Sequence, residues 1–246
     1  MKSSIAALAL ATAALGGIAM AAPPKPGLAG AITDPLRPAA DVARDANRKP
    51  AQAVAFAQVK PGDTVAEIFP GGGYFTRILA RTVGARGHVY AIVPAAFAQR
   101  PGGMDAINAL AAQYPNVTVV PADLASFTLP ERADVVWTSE NWHDFHNGPT
   151  ANPAGIAKAV YAALKPNGVF YIEDHAAAPG AGTTVTNTLH RIEASSVIAE
   201  LTAAGFKLDG TGTFLANPAD PHTAGVRDPS IQGKTDKFAL RFRRPR

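Results

Sequence analysis

Histidine and aspartate side chains cluster in three short polar segments of the second half of the chain. These segments are "SENWHDFHNG" (139–148), "EDHAAAPG" (173–180) and "TLHRI" (188–192). Histidine changes its charge near neutral pH, so it can take a proton from a reacting group. The catalytic residues that we predict are His143, His146, Asp174 and His175, with His190 nearby. We favour His143 as the base, with Asp174 or Asp144 as its partner.

Two alternatives for this region stay open. Two histidines and an aspartate can ligate zinc or a harder ion, but the spacing of His143 and His146 matches no recognised zinc motif, so no metal ligand is assigned. Trp142 and Phe145 either form the wall of an aromatic acceptor pocket or pack in the core.

A glycine-rich stretch, "AEIFPGGGYFTRIL" (66–79), marks a second region where chemistry is expected. Three glycines between a strand-like run and a helix-like run are entropically unfavourable, so a ligand is expected to approach the backbone there. The first N–H groups of the following helix, from Tyr74 onward, can face an anionic group such as a carboxylate. The segment "RDANRKP" (44–50) is either a lid over this crevice or a solvated helix end.

Two common nucleotide-binding motifs do not fit this stretch. A P-loop requires Lys and Ser or Thr after its last glycine, whereas Gly73 is followed by Tyr74 and Phe75. A nicotinamide site requires an acid at the end of the second strand, where Val93 stands.

Strand-like and helix-like patterns alternate from residue 63 onward. Seven segments read as strands: 64–69, 88–93, 116–121, 133–139, 168–174, 206–215 and 236–243. Strands that are apolar on both faces and separated by helices indicate a mostly parallel sheet with helices on both sides. We therefore predict a single doubly wound α/β domain with a seven-stranded sheet. The last two strands have no helix between them, which indicates an antiparallel edge with an antiparallel C-terminal strand.

The N-terminus has the pattern of a secretory signal. Lys2 precedes a short apolar run, and Ala19-Met20-Ala21 fits a cleavage site. We predict a signal peptide at 1–21, a linker at 22–35, and a domain at 36–246 whose N-terminal helical cap is 36–60. This organisation predicts export to the periplasm, and no later hydrophobic run is long enough to cross a membrane.

The composition restricts the chemistry further. The chain has 246 residues, a formal net charge of +4 and no cysteine, which excludes thiolate chemistry and disulfides. The basic C-terminal tail alternates with apolar residues, as expected for a strand with one solvated face rather than a nucleic-acid surface.

The ordered motifs resemble those of class I S-adenosylmethionine-dependent methyltransferases. The segments that carry the resemblance are "VKPGDTVAEIFPGGGYFTRILA" (59–80), "VVPADLASF" (119–127), "LKPNGVFYIED" (164–174) and "LTAAGFKL" (201–208). The resemblance implies that adenosylmethionine is the cofactor, held by Glu67, Gly71, Gly72, Gly73, Tyr74, Asp123 and Asn141. Asp123 stands at the adenine-contacting position. The first glycine of the family loop is Phe69 here, and the ribose-binding acid is Val93. Within the superfamily, "NWHDFH" and "TLHRI" resemble an uncharacterised group of predicted, exported bacterial methyltransferases.

The expected function is methyl transfer from adenosylmethionine to a small-molecule acceptor, with no nucleic-acid partner. Export conflicts with the cytoplasmic supply of adenosylmethionine. Two alternatives therefore remain: an exported, non-catalytic protein that binds an adenosyl ligand on a methyltransferase scaffold, which Val93 favours slightly, and a metal-assisted enzyme that uses the His/Asp crevice.

Overall fold

The computed structural model describes residues 27–246. The predicted signal peptide and the first residues of the predicted linker lie outside the described residues. None of the helices within 27–246 has the length and the apolar character needed to cross a membrane.

The centre of the domain is a seven-stranded sheet in the order β3-β2-β1-β4-β5-β7-β6. The strands are β1 Thr64–Ile68, β2 His88–Pro94, β3 Val117–Ala122, β4 Ala133–Ser139, β5 Leu164–His175, β6 Lys207–Gly212 and β7 Lys237–Arg243. The first five strands pair in parallel, whereas β7 is antiparallel to both β5 and β6. The predicted α/β class, the mostly parallel seven-stranded sheet and the antiparallel C-terminal strand are confirmed.

The last two strands form an antiparallel edge of the sheet, as the sequence indicated. β7 lies between β5 and β6, so β6 is the edge strand. The burial of the two strands explains this order. Ala239, Leu240 and Phe242 of β7 are at most 2% exposed, whereas most β6 side chains are exposed. A strand buried on both faces needs a neighbour on each side, and only the edge position suits a largely polar strand.

Helices cover both faces of the sheet, which gives two apolar clusters. The helices are α1 Leu28–Ile32, α2 Ala39–Val42, α3 Asp45–Arg48, α4 Pro50–Phe56, α5 Tyr74–Val83, α6 Ala95–Ala98, α7 Asp105–Ala111, α8 Pro153–Ala163 and α9 Ala194–Ala203. On one face, Phe75, Ile78 and Leu79 of α5 pack in a cluster that includes α1, α4 and α7. On the other face, α8 and α9 cover Phe170 and Ile172 of β5. All five residues of β1 are buried between these layers.

The segment 27–35 differs from the predicted linker. It contains α1, in which Ala31 is fully buried. Asp34 is 3% exposed and accepts hydrogen bonds from Nε of Arg81 at 2.6 Å and from the hydroxyl of Tyr114 at 2.8 Å. Small residues are typical of linkers, but they also allow close packing, so composition alone does not distinguish the two.

The N-terminal helical cap, α2 to α4, lies at the carboxyl end of the sheet. Arg48, the last residue of α3, contacts Ser139 at the end of β4 and Glu173 in β5. Pro50 is the first residue of α4. Proline is favourable there because the N–H group at this position has no hydrogen-bond partner within the helix. The segment 44–50 is therefore a lid on the crevice and not a solvated helix end.

Candidate functional site

Two adjoining cavities open at the carboxyl ends of the central strands, beneath the cap. The smaller one, here called the glycine-loop cavity, has a volume of about 200 Å³ and is bordered by Glu67, Gly71 and Gly72. The larger one, the histidine cavity, has a volume of about 430 Å³ and is bordered by His143 and His175. Arg44, Arg48 and Glu140 border both cavities. This is the edge at which open α/β sheets bind ligands.

The loop after β1 keeps the backbone of a glycine-rich turn although its first position is phenylalanine. Phe69 has a φ of +55°, in the left-handed region that is unfavourable for a bulky residue by about 1–2 kcal/mol. Its carbonyl accepts from Nδ2 of Asn141 at 3.1 Å, and its ring packs edge-on against Phe97. Asn141 borders the cavity and also fixes the loop to β4.

The three glycines of the loop have different roles. A Cβ added at Gly71 or Gly72 would meet no heavy atom within 4 Å, so both positions leave open space beside the cavity. A Cβ at Gly73 would lie 2.2 Å from Leu110, and Gly73 also has a φ of +81°. Gly73 thus has a structural reason to be glycine that is independent of any ligand.

Glu67 is a buried carboxyl group at the floor of the glycine-loop cavity. It is 3% exposed, and its Oε2 accepts from the hydroxyl of Thr76 at 2.6 Å. Burial raises the pKa of Glu67 to about 7, against the opposing effects of the Thr76 hydrogen bond and of Arg48 and Arg77. A cationic ligand group beside Glu67 would stabilise its charged form.

Tyr74 links the glycine loop to the cap. Its hydroxyl donates to Oδ1 of Asp45 at 2.5 Å, and the guanidinium carbon of Arg48 lies 4.5 Å from the centre of its ring. Tyr74 borders the cavity, and its side chain is already engaged in holding the cap.

A buried network of charged groups lies where the two cavities adjoin, and it was not predicted from the sequence. Arg48 donates to Ser139 at 2.5 Å and to Glu173 at 3.3 Å, and Lys237 donates to Glu140 at 2.9 Å. Although burial opposes ionisation, Arg48 and Lys237 hold the pKa of Glu140 far below its usual range. Glu140 also has a φ of +59°, which indicates a backbone held by its surroundings.

His143 lies between two carboxylates. Its Nδ1 is 2.7 Å from Oδ1 of Asp174 and its Nε2 is 3.3 Å from Oδ1 of Asp144. Asp174, which is fully buried, also accepts from the backbone N–H groups of His143 and His175. Burial lowers the pKa of His143, but Asp174 and Asp144 outweigh it and raise the pKa to about 10. The predicted pairing with Asp174 is present, but His143 is already protonated at neutral pH and is not a free base.

His175 has the opposite electrostatic environment. Burial lowers its pKa to about 4, and Lys237 and His143 add to this effect against Glu140 and Asp174. Its Nδ1 shares a hydrogen bond of 2.7 Å with the hydroxyl of Thr235. His175 is therefore neutral at pH 7 and borders the histidine cavity, so of the two histidines it is the one able to accept a proton, although its lowered pKa makes it a weak base.

His146 does not join this group. Its Nε2 lies 3.3 Å from Oε1 of Glu200 on α9, without the geometry of a hydrogen bond, and His146 borders neither cavity. Trp142 donates to the same glutamate at 2.9 Å. Trp142 and Phe145 are at most 7% exposed in the α8–α9 cluster, so they pack in the core and do not form an acceptor pocket. The 3₁₀ turn at 143–146 directs His143 and His146 to different sides.

The predicted adenine contact lies apart from both cavities. Asp123 follows β3, is exposed, and accepts from the backbone N–H of Ala125 at 3.0 Å. Val93, at the position of the ribose-binding acid, is 2% exposed. The charged cap residues Asp41 and Arg44 border the glycine-loop cavity instead.

A compact group of three ligand-type side chains is formed by His143, Asp144 and His190. Their nearest ligand atoms all lie within 4.8 Å of one another. Nδ1 of His190 is 3.2 Å from Oδ1 of Asp144. From the sequence, His190 was expected only to lie near the predicted catalytic residues.

Comparison with solved structures places this architecture among methyltransferase folds. A SAM-dependent methyltransferase from Aquifex aeolicus aligns with 86% of this chain and 96% of its own, with a TM-score of 0.60 and 16% identity. The [4+2]-cyclase SpnF aligns over 81% of both chains, with a TM-score of 0.62 and 16% identity. Aeropyrum pernix fibrillarin with natively bound S-adenosyl-L-methionine aligns with 81% of this chain and 76% of its own, with a TM-score of 0.51 and 16% identity.

The chain has the class I methyltransferase fold. No protein-family model matches the sequence, and no curated protein is significantly similar to it. The similarity to solved structures is one of fold, and fold does not determine the reaction.

Proposed function

We propose that this protein transfers a methyl group from S-adenosylmethionine to a small-molecule acceptor. The observation that supports the proposal most strongly is the glycine-loop cavity, where Glu67 stands at the end of β1 and Gly71 and Gly72 leave open space. In this fold such a cavity lies where strand ends and a helix N-terminus meet. Bound adenosylmethionine supplies an electrophilic methyl group.

The residues of this cavity suit the amino-acid end of the cofactor. The carboxylate of Glu67, stabilised by a nearby cation, pairs with an ammonium group. Arg44, whose side chain is 50% exposed, provides a guanidinium for a carboxylate. The fit is weaker at the adenosine end, because Val93 offers no acid to ribose hydroxyls and Asp123 borders neither cavity.

The histidine cavity is the proposed acceptor site. It adjoins the glycine-loop cavity through Arg44, Arg48 and Glu140, so an acceptor there lies next to the bound cofactor. Methyl transfer requires mainly that the acceptor atom be held in line with the methyl group. Where the acceptor carries a proton, neutral His175 accepts it.

A second candidate function is adenosyl-ligand binding without methyl transfer. Phe69 at the first glycine position, packed against Phe97, and Val93 at the acid position favour it. SpnF, a [4+2]-cyclase of similar fold, illustrates that this scaffold serves other reactions.

Export is also part of the proposal, supported by Lys2, the apolar run and Ala19-Met20-Ala21. Mass spectrometry of the natively produced protein should find a new N-terminus at Ala22 or an adjacent residue. An intact Met1 in the cytoplasmic fraction would contradict export.

The function is tested by a screen of phenolic, amine and thiol acceptors with a labelled methyl donor. Methyl transfer to one class, lost in the His175→Ala variant, supports the full proposal. Binding of adenosylmethionine without transfer to any acceptor supports the second candidate function. If neither binding nor transfer occurs with correctly folded protein, both are wrong.

A further inference from the structure

We propose that His143, Asp144 and His190 form a binding site for one divalent transition-metal ion, with zinc as the best match. The three side chains belong to two separate segments, the 3₁₀ turn after β4 and the connection between β5 and α9, and the fold brings them to one wall of the histidine cavity. Zinc binding by these three side chains does not depend on the proposed methyl transfer, whereas the nature of the fourth ligand rests on that proposed function.

Two of the three distances between ligand atoms are close to the edge of a zinc tetrahedron, and all three atoms lie within 4.8 Å of one another. Oδ1 of Asp144 is 3.3 Å from Nε2 of His143 and 3.2 Å from Nδ1 of His190. Zinc bonds to nitrogen and oxygen ligands are about 2.0–2.2 Å long. A tetrahedron with such bonds has edges of roughly 3.3–3.6 Å, which is close to both distances. Two imidazoles and one carboxylate are also a donor set of catalytic zinc sites.

The surroundings of His143 are those of a metal-bound histidine. Its Nδ1 is 2.7 Å from the fully buried Asp174, which fixes the ring and directs Nε2 toward Asp144. A carboxylate behind the histidine is a common feature of zinc sites. His190 has a φ of +55°, an unfavourable conformation that places its Nδ1 beside Asp144 and suggests a functional constraint.

The charges around the three ligands favour binding of a cation. Within residues 27–246, Asp144 and Asp174 have ion-pair distances only to histidines. The nearby Arg48 and Lys237 are paired with Glu140 and Glu173 instead.

Three protein ligands leave one tetrahedral position open, as in catalytic zinc sites. All three side chains border the histidine cavity, so a molecule in that cavity can supply the fourth ligand. The chemistry predicts an acceptor with an oxygen donor, such as a phenolate or a carboxylate, for this position.

The test is titration of the metal-stripped, untagged protein with Zn²⁺, followed by calorimetry. We expect one ion per chain, and a loss of affinity in Asp144→Asn and His190→Ala, whose side chains are partly exposed and whose replacement should preserve the fold. Asp174→Asn should weaken binding by about 10–100-fold through the orientation of His143. Absorption spectra of the Co²⁺ form should show tetrahedral coordination in the wild type but not in Asp144→Asn or His190→Ala.

His222→Ala is the matched control. His222 also has a positive φ of +60° and an aspartate partner, Asp236, at 2.8 Å, but it lies outside the three-residue group. Its replacement should leave Zn²⁺ affinity unchanged. The proposal is overturned if the wild type binds no Zn²⁺, or if folded His190→Ala binds as tightly as wild type, or if His222→Ala loses as much affinity as His190→Ala.

Discussion

Replacing Glu67 by glutamine should stabilise the ligand-free protein at alkaline pH while it weakens cofactor binding. Glu67 is 3% exposed, and burial raises its pKa from 4.5 to about 7. Between these two values the folded protein holds a proton that the unfolded chain has released. The free energy of unfolding therefore falls as the pH rises through this window, and the whole penalty is present above pH 7.

The size of the effect follows from the difference between the two pKa values. At about 1.4 kcal/mol for each pH unit, that difference corresponds to about 3 kcal/mol at pH 8. The glutamine oxygen can still accept from Thr76, but its amide group lacks an evident acceptor, which offsets part of the gain. We expect Glu67→Gln to be about 1–3 kcal/mol more stable at pH 8, and no more stable than wild type at pH 4.5.

Thermal and urea denaturation of the ligand-free protein at pH 4.5 and pH 8 measure this difference. Each kcal/mol should shift the melting temperature by about 2–4 °C in a domain of this size. Glu131→Gln, at an exposed position, is the control and should change neither curve. If Glu67→Gln destabilises the protein equally at both pH values, the carboxyl group of Glu67 supports the fold. The raised pKa of Glu67 then does not control stability, and the reasoning from its burial is refuted.

Three further outcomes are expected. His175→Ala should lower turnover by about 10²–10⁴-fold, whereas His146→Ala should leave it within a few-fold; equal losses in steady-state kinetics would contradict the reassigned base. Phe69→Gly should relieve about 1 kcal/mol of backbone strain and increase adenosylmethionine affinity, as calorimetry would show; reduced affinity would mean that the ring contacts the ligand. Arg48→Met should destabilise the protein by about 3–5 kcal/mol in urea denaturation, because Glu173 is left as a buried charge without its partner. Unchanged stability would show that the network of Arg48 and Glu173 does not stabilise the fold.

Local patterns predicted most of the secondary structure. The strand β4, Ala133–Ser139, has the bounds that the sequence suggested, and the helix α5 begins at Tyr74 as expected. Their apolar residues follow helical and strand periodicity, and glycines or polar residues flank them. The position of β7 was not predictable in this way, because strand order depends on packing between distant segments.

The candidate site was predictable in its residue types and only partly in its chemistry. Asp174 was a proposed partner of His143, and the two side chains are 2.7 Å apart. The charge states of His143 and His175 depend on burial and on several neighbouring charges, and no short motif encodes these. Arg48 and Glu173 are separated by 125 residues, so their contact has no local signal either.

Cofactor binding in the glycine-loop cavity is tested most directly by calorimetric titration of adenosylmethionine into a matched pair of glycine variants. Gly71 and Gly180 both have positive φ, +56° and +83°, and open space around the missing side chain, but only Gly71 borders the glycine-loop cavity. Valine should therefore strain both positions alike. Gly71→Val, and the less strained Gly72→Val, should lose more than tenfold in affinity, or about 1.4 kcal/mol, while Gly180→Val binds as wild type. Equal affinity in all three folded variants would contradict the claim that this cavity holds the cofactor.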